Sequence, residues 1–322
     1  MHALNTKHLL LSQTGHPQES LALLRHAIAL GREHELGLPL QRALHNLSHT
    51  LNAYDRFAEA IEIQLELLER ERRDGNRVDE QRTLAHYMYS RWRLGDADAI
   101  DPSQFTLADQ HVRAARLNHA VYAALFRGDV AEARAALDEY TALRDSGEGQ
   151  MQIGFRAFEA AVLRAEGNPR EALTASRAGL DAMPDPLHPF YKDSWFEGIE
   201  AAFDLSDTEE VEEMLGRFDR LPPSDRTPLS IAQATRFRGR LLALRGDRDG
   251  ALDELARAAV LFRELGTPYF LGMALFEQAE LGGDDSAALL AGAREIFERL
   301  GVAPWLARVD ALESLTGAGV LR

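Results

Sequence analysis

The chain has 322 residues with 36 Lys+Arg against 51 Asp+Glu, and its formal net charge of −15 argues against a general binder of nucleic acid or anionic membrane. Hydrophobic residues at 45% supply a sizeable core, while the absence of cysteine excludes disulfides, thiolate metal sites, iron–sulfur ligation and a cysteine nucleophile. Apolar runs such as Leu9-Leu10-Leu11 fall far short of the roughly 18 residues a membrane span requires, and Ser12, Gln13 and Thr14 interrupt the apolar centre a secretory signal would need, so a folded cytoplasmic protein is expected.

Taken in chain order, a turn signal followed by an Ala-rich amphipathic segment recurs. It starts at Gly15-His16-Pro17, Asp55-Arg56-Phe57, Gly95-Asp96-Ala97, Gly128-Asp129-Val130, Gly167-Asn168-Pro169, Ser206-Asp207-Thr208 and Gly246-Asp247-Arg248. The starts lie 39 or 40 residues apart except for the step from Gly95 to Gly128. Apolar residues inside each unit follow helical spacing, as in Ile61, Leu65 and Leu68 or Leu252, Leu255 and Ala259, and alternating β-branched runs are almost absent. Each unit is therefore read as two antiparallel helices. The Gly ends the first helix with positive φ, the next Asp, Asn or Ser caps the second, and Pro17 and Pro169 suit its first turn. One hairpin cannot bury its apolar face alone, so stacked hairpins predict a solenoid.

Two places break the period. The short interval after Gly95 contains Asp101-Pro102-Ser103, which predicts an irregular second helix near 95–110. Three prolines between Met183 and Pro189 predict an extended connector.

Residues for chemistry are sparse. Lys7 is followed by His8 and Lys192 by Asp193, so there is no Gly-Lys-Ser/Thr phosphate loop, and no Gly-x-Ser-x-Gly nucleophile elbow occurs. Gly147-Glu148-Gly149 lacks the third glycine of a dinucleotide loop and reads as a flexible connection. His45 and His49 stand four apart on one helical face, a spacing able to chelate a metal, yet no third ligand is indicated and a polar groove face is the simpler reading. Asp96, Asp98 and Asp101 lack the Gly and terminal Glu of a calcium loop and read as a solvated acidic loop. No cofactor, no metal and no catalytic residue is expected.

The Gly, polar turn and Glu-Ala pattern, followed seven residues later by another small residue (Ala251 and Ala258, Ser20 and Ala27), resembles the tetratricopeptide repeat. The last repeat is the most specific part, with Phe262-Arg263-Glu264-Leu265-Gly266-Thr267-Pro268-Tyr269, then 291–301, then Pro304-Trp305-Leu306. Its long, loosely matched copies resemble the C-terminal repeats of bacterial signalling ATPases of the LuxR-type maltose-activator class and the adenylate/guanylate cyclase-linked class. The resemblance implies an all-α, right-handed superhelical solenoid of about eight hairpins, a single domain over 1–322 closed by a capping helix near 302–315. It implies a non-enzymatic interaction or sensor module in bacterial signalling or transcription; an autonomous adaptor or peptide receptor acting in trans is the alternative.

In such a repeat the first helix of each hairpin lines the concave surface. Counting back from the turns puts Arg42, His45, His49 and Asn52 there in the second unit, Arg82 and Tyr89 in the third, Asn118 and Tyr122 in the fourth, and Gln233, Arg236 and Arg240 in the seventh. That basic, amide-rich set suits a protein or peptide partner of acidic character, or a carboxylate- or phosphate-bearing ligand. Direct nucleic-acid and membrane partners are not expected, and a homo-oligomer is left open.

Overall fold

The helix breaks fall where the turn chemistry puts them. Gly15, Gly95, Gly128, Gly167 and Gly246 all have positive φ, and so do Asp55 (φ 60°) and Ser206 (φ 54°) at the two starts that lack glycine. Asp129, Asp207 and Asp247, each just after such a turn, accept a backbone N–H from the first turn of the following helix. The computed structural model describes residues 2–99, 101–144, 149–182 and 185–317, and among them sixteen α-helices and no strand are found. The chain is an all-α solenoid.

The helices pair consecutively: α1 (His2–Gln13) with α2 (Pro17–Glu33), α3 (Gly37–Ala53) with α4 (Phe57–Asp74), α5 (Arg77–Arg93), α6 (Gln110–Arg127) with α7 (Val130–Arg144), and α8 (Gly149–Ala165) with α9 (Pro169–Ala182). They continue with α10 (Pro189–Asp204) and α11 (Thr208–Asp219), α12 (Pro228–Leu244) and α13 (Arg248–Leu265), α14 (Pro268–Glu280) and α15 (Ser286–Leu300), and end on α16 (Ala303–Gly317). After α5 two short 3-10 turns, Ala97–Ala99 and Pro102–Gln104, stand where the other units have a second helix. Asp101 accepts the Ser103 amide and Asp96 accepts that of Asp98, so two of the three loop aspartates cap local turns. Residues 147 and 148 of the Gly147-Glu148-Gly149 connection lie outside the described residues, as do 183 and 184 of the proline-rich connector.

The small residues sit between the helices of a pair. Ser20, Ala27, Ala251 and Ala258 are fully buried, and a Cβ placed on Gly239 of α12 would lie 3.1 Å from the Ala251 carbonyl oxygen. Close approach of α12 and α13 therefore depends on the bare Cα of Gly239 and on side chains no larger than methyl at Ala251 and Ala258. Ala251→Trp is expected to cost about 1–3 kcal/mol by overpacking this seam, measured as a fall in the denaturant midpoint; an unchanged midpoint would place Ala251 outside the contact.

The superhelix also returns on itself. The tip of the first hairpin at Gly15 meets Ser224, just before α12, and Asp55 at the second tip accepts the backbone N–H of Leu229 in the first turn of α12. The third tip at Gly95 lies against Pro268 at the start of α14, and the fourth at Gly128 against Pro304 at the start of α16. Gly95 is required twice over: its φ is 87°, and a Cβ there would stand 2.3 Å from the Pro268 ring. The hairpin tips of the first half thus rest on helix starts of the second half and narrow the concave side.

Candidate functional site

Helical spacing sets three polar stripes side by side on the concave wall. His45, His49 and Asn52 run along α3, Arg82, His86 and Tyr89 along α5, and His111, Asn118 and Tyr122 along α6. Residues of the stripes, with Trp92, His119, Phe158, His188 and Phe190, line a cavity of about 400 Å³ open to solvent at one side. His45 is set off from it in a smaller adjoining hollow, where its Nε2 lies 2.8 Å from the buried Glu71 carboxylate.

The floor is aromatic. Trp92 stacks on Tyr122 at 5.3 Å between ring centres, and Tyr122 meets Phe158 edge-on at 5.0 Å. The rim carries imidazoles: His49 lies 6.1 Å from His86 and 6.4 Å from His188, ring centre to ring centre. His119 stacks on Phe105 and hydrogen-bonds the Ala85 backbone, and loss of water holds it at about 4, well below an ordinary imidazole. His188 is also at about 4, first because the walls strip its water and then because His49 repels its charged form. The rims of His49 and His86 touch water, but burial lowers both; neighbouring histidines, His49 first, lower His86 further to about 3, while Asp185 partly offsets the shift of His49. The histidines therefore enter neutral pH uncharged. Among the described residues no three His, Asp or Glu side chains converge as metal ligands.

A second cavity of about 290 Å³ lies beyond Trp92 and Tyr122, which wall both. A buried bridge stands between them: Arg93 on α5 donates to Asp193 on α10 at 2.7 Å, and the Tyr122 hydroxyl donates to the other oxygen of Asp193 at 2.9 Å. Arg93 also lies over the rings of Tyr89 and Trp92. The concave surface is thus divided into two hollows.

The basic end needs correction. Arg236 is 1% exposed and forks onto Glu277 with bonds of 2.7 and 2.5 Å, while Glu200 lies 2.8 Å away. Arg240, partly shielded, bonds Glu200 at 2.6 Å and lies 3.9 Å from the centre of the Phe203 ring. Gln233 is buried and accepts from Arg236. These arginines are not free cations, because the carboxylates of α10 and α14 occupy them, and Glu200 is held far below the usual carboxylate range despite its burial. The three residues lie on the interior side, as the register puts them, but the solenoid's return on itself removed them from solvent.

Of the other expected residues, His49, Asn52, Arg82, Tyr89, Asn118 and Tyr122 are brought together around the first cavity, and Arg42 is exposed apart from it. Sequence reasoning missed His86, His119, His188, Trp92 and Phe158. His86 was legible as the residue four after Arg82 on the same face; His188, which enters from the proline-rich connector, carried no periodic signal.

No family model matches the chain, and no curated protein matches it. Among solved structures it is similar to a tetratricopeptide repeat protein from Parabacteroides merdae, at 14% identity and a TM-score of 0.46, covering 85% of this chain and 98% of that one. It is also similar to the apo form of RapI, at 15% identity and a TM-score of 0.39, covering 87% and 74% respectively. Both are likenesses of fold alone.

Proposed function

We propose that the chain works as one non-enzymatic repeat domain over 1–322 that holds a protein or peptide segment in the cavity between α3, α5, α6, α8 and α10. The supporting observation is a solvent-open hollow whose volume, about 400 Å³, falls in the roughly 300–1,000 Å³ range of ligand pockets, with an aromatic floor and a few convergent polar groups. Among the described residues Asn52 Nδ2, Asn118 Oδ1 and His119 Nδ1, buried in its walls, have no hydrogen-bond partner. The sequence lacks a phosphate loop, a nucleophile elbow and a cysteine, and no described helix is long and apolar enough to cross a membrane. Its resemblance to repeats of bacterial signalling ATPases suits a cytoplasmic regulatory role.

Ala115 lines the cavity from α6 and packs, partly buried, beside Met88, Phe105 and Val112, so Ala115→Trp fills the hollow from its wall. On a peptide array, the variant is expected to lose at least tenfold in capture of the peptides that wild type retains, while it still melts cooperatively with a loss of no more than about 1–3 kcal/mol. Equal capture by a folded variant would move the binding surface elsewhere.

A further inference from the structure

The rim of the first cavity has titratable rings facing one another, and among the described residues no carboxylate touches them, Asp185 and Asp193 acting only at a distance. His49 comes from α3, His86 from α5, and His188 from the segment entering α10. His188 Nδ1 accepts the Phe190 N–H at 3.2 Å as the cap of α10, which assigns its ring hydrogen to Nε2. Around the trio stand His8 of α1, His45 paired with Glu71 of α4, Arg82 of α5, His111 and His119 of α6, Asp185, and Lys192 and Asp193 of α10. Most of these charges are committed. Lys192 is bound to Asp55 and Asp193 to Arg93 and Tyr122, while Arg82 has only long contacts of 3.5 and 3.8 Å to Asp109 and Asp79. Among the described residues none of His49, His86 and His188 has a carboxylate in ion-pair contact. An anion seated there would supply what the protein omits.

Resting on the reading of this cavity as the ligand site, we infer that the seat among His49, His86 and His188 receives a carboxylate group of the bound peptide, with proton uptake by the imidazoles on binding. The spacing fits: two N–H donors, each about 2.8 Å from one shared oxygen in a bent arrangement, hold ring centres about 6 Å apart, matching the 6.1 and 6.4 Å found. Arg82 on the same wall adds a lasting positive charge. The linkage has one sign. In the free cavity His188 protonates near pH 4, and a carboxylate beside it raises that midpoint, so between the two values the complex holds more protons and binding tightens as pH falls. The gain ends near pH 4.3, where a glutamate ligand is itself neutralised.

The carboxylate can be a side chain or a chain terminus, and three N-acetylated tetrapeptides separate these: tetraglutamate with an amidated end, tetraalanine with a free end, and tetraalanine amidated. Calorimetry at pH 7.5 and 5.0, in buffers of different ionisation enthalpy, is paired with ring-carbon NMR of the histidines. At least one carboxylate peptide is expected to bind about tenfold tighter at pH 5.0 than at pH 7.5, the effect of one ring whose midpoint rises by about two units from about 4. It takes up about one proton and shifts the His49, His86 and His188 resonances. Amidated tetraalanine does none of this, and His188→Asn, which keeps an acceptor for the Phe190 N–H, removes most of the pH dependence. Perturbed cavity resonances without proton uptake, or equal affinity at both pH values, overturn the carboxylate seat while leaving the cavity as a peptide site. If no peptide perturbs any of the three rings, the seat is overturned, and the array result with Ala115→Trp decides separately whether the cavity binds peptides at all.

Discussion

Arg236→Glu is expected to abolish cooperative folding. The guanidinium is 1% exposed, forked onto Glu277, and close to Glu200. Reversal would bury a third carboxylate against Glu200 and Glu277, which lose the guanidinium they share and keep Arg240 between them. Removing one member of a buried pair costs about 3–5 kcal/mol, and adding like-charge repulsion takes the loss into the roughly 5–15 kcal/mol that stabilises a typical domain. Circular dichroism and a denaturant melt check it: reduced helicity, or loss of a single sharp transition, is expected. Wild-type helicity with an unshifted midpoint would mean that Arg236 is a solvated groove residue.

Asp55→Ala is expected to cost about 3–5 kcal/mol, although it alters only a hairpin tip. The Asp55 carboxylate accepts from Lys192 at 2.5 Å and from the Leu229 N–H at 2.8 Å, and Lys192 also donates to the Ala53 carbonyl at 2.9 Å. A single turn thereby joins the second unit to α10 and to the positive end of α12, where an anion is favoured. The substitution leaves an uncompensated buried ammonium and an unpaired amide. Adding Lys192→Met should recover part of the loss, with a coupling of about 0.5–3 kcal/mol in a double-mutant cycle. Faster amide exchange at Leu229 in Asp55→Ala would follow from the lost acceptor. Strictly additive losses in the cycle would contradict the bridge.

Much of the architecture was written in local chemistry. Turn positions are legible because a left-handed residue must end one helix and a capping acid must start the next, and Gly128-Asp129 and Gly246-Asp247 do both within two residues. Asp55 and Ser206 were readable as turns only through the period, since neither is glycine. For the candidate site, the stripe on α3, Arg82 and Tyr89 on α5 and Asn118 and Tyr122 on α6 followed from counting along first helices. The count could not say which concave residues would meet water.

The sequence by itself determined the helices, their order, their turns and which face of each looks inward, because caps, left-handed turns and 3.6-residue periodicity act within a few residues of each other. Only the tertiary structure decided which inward residues are free. The superhelix brings Asp55 to Lys192, Arg93 to Asp193 and Arg236 to Glu277 across 137, 100 and 41 positions, and no local pattern encodes those separations. The accumulated twist of the stacked pairs sets where one half meets the other. It makes Arg236 a buried ion-pair partner, while His49, His86 and His188 stand at the rim of an open cavity without a touching carboxylate among the described residues.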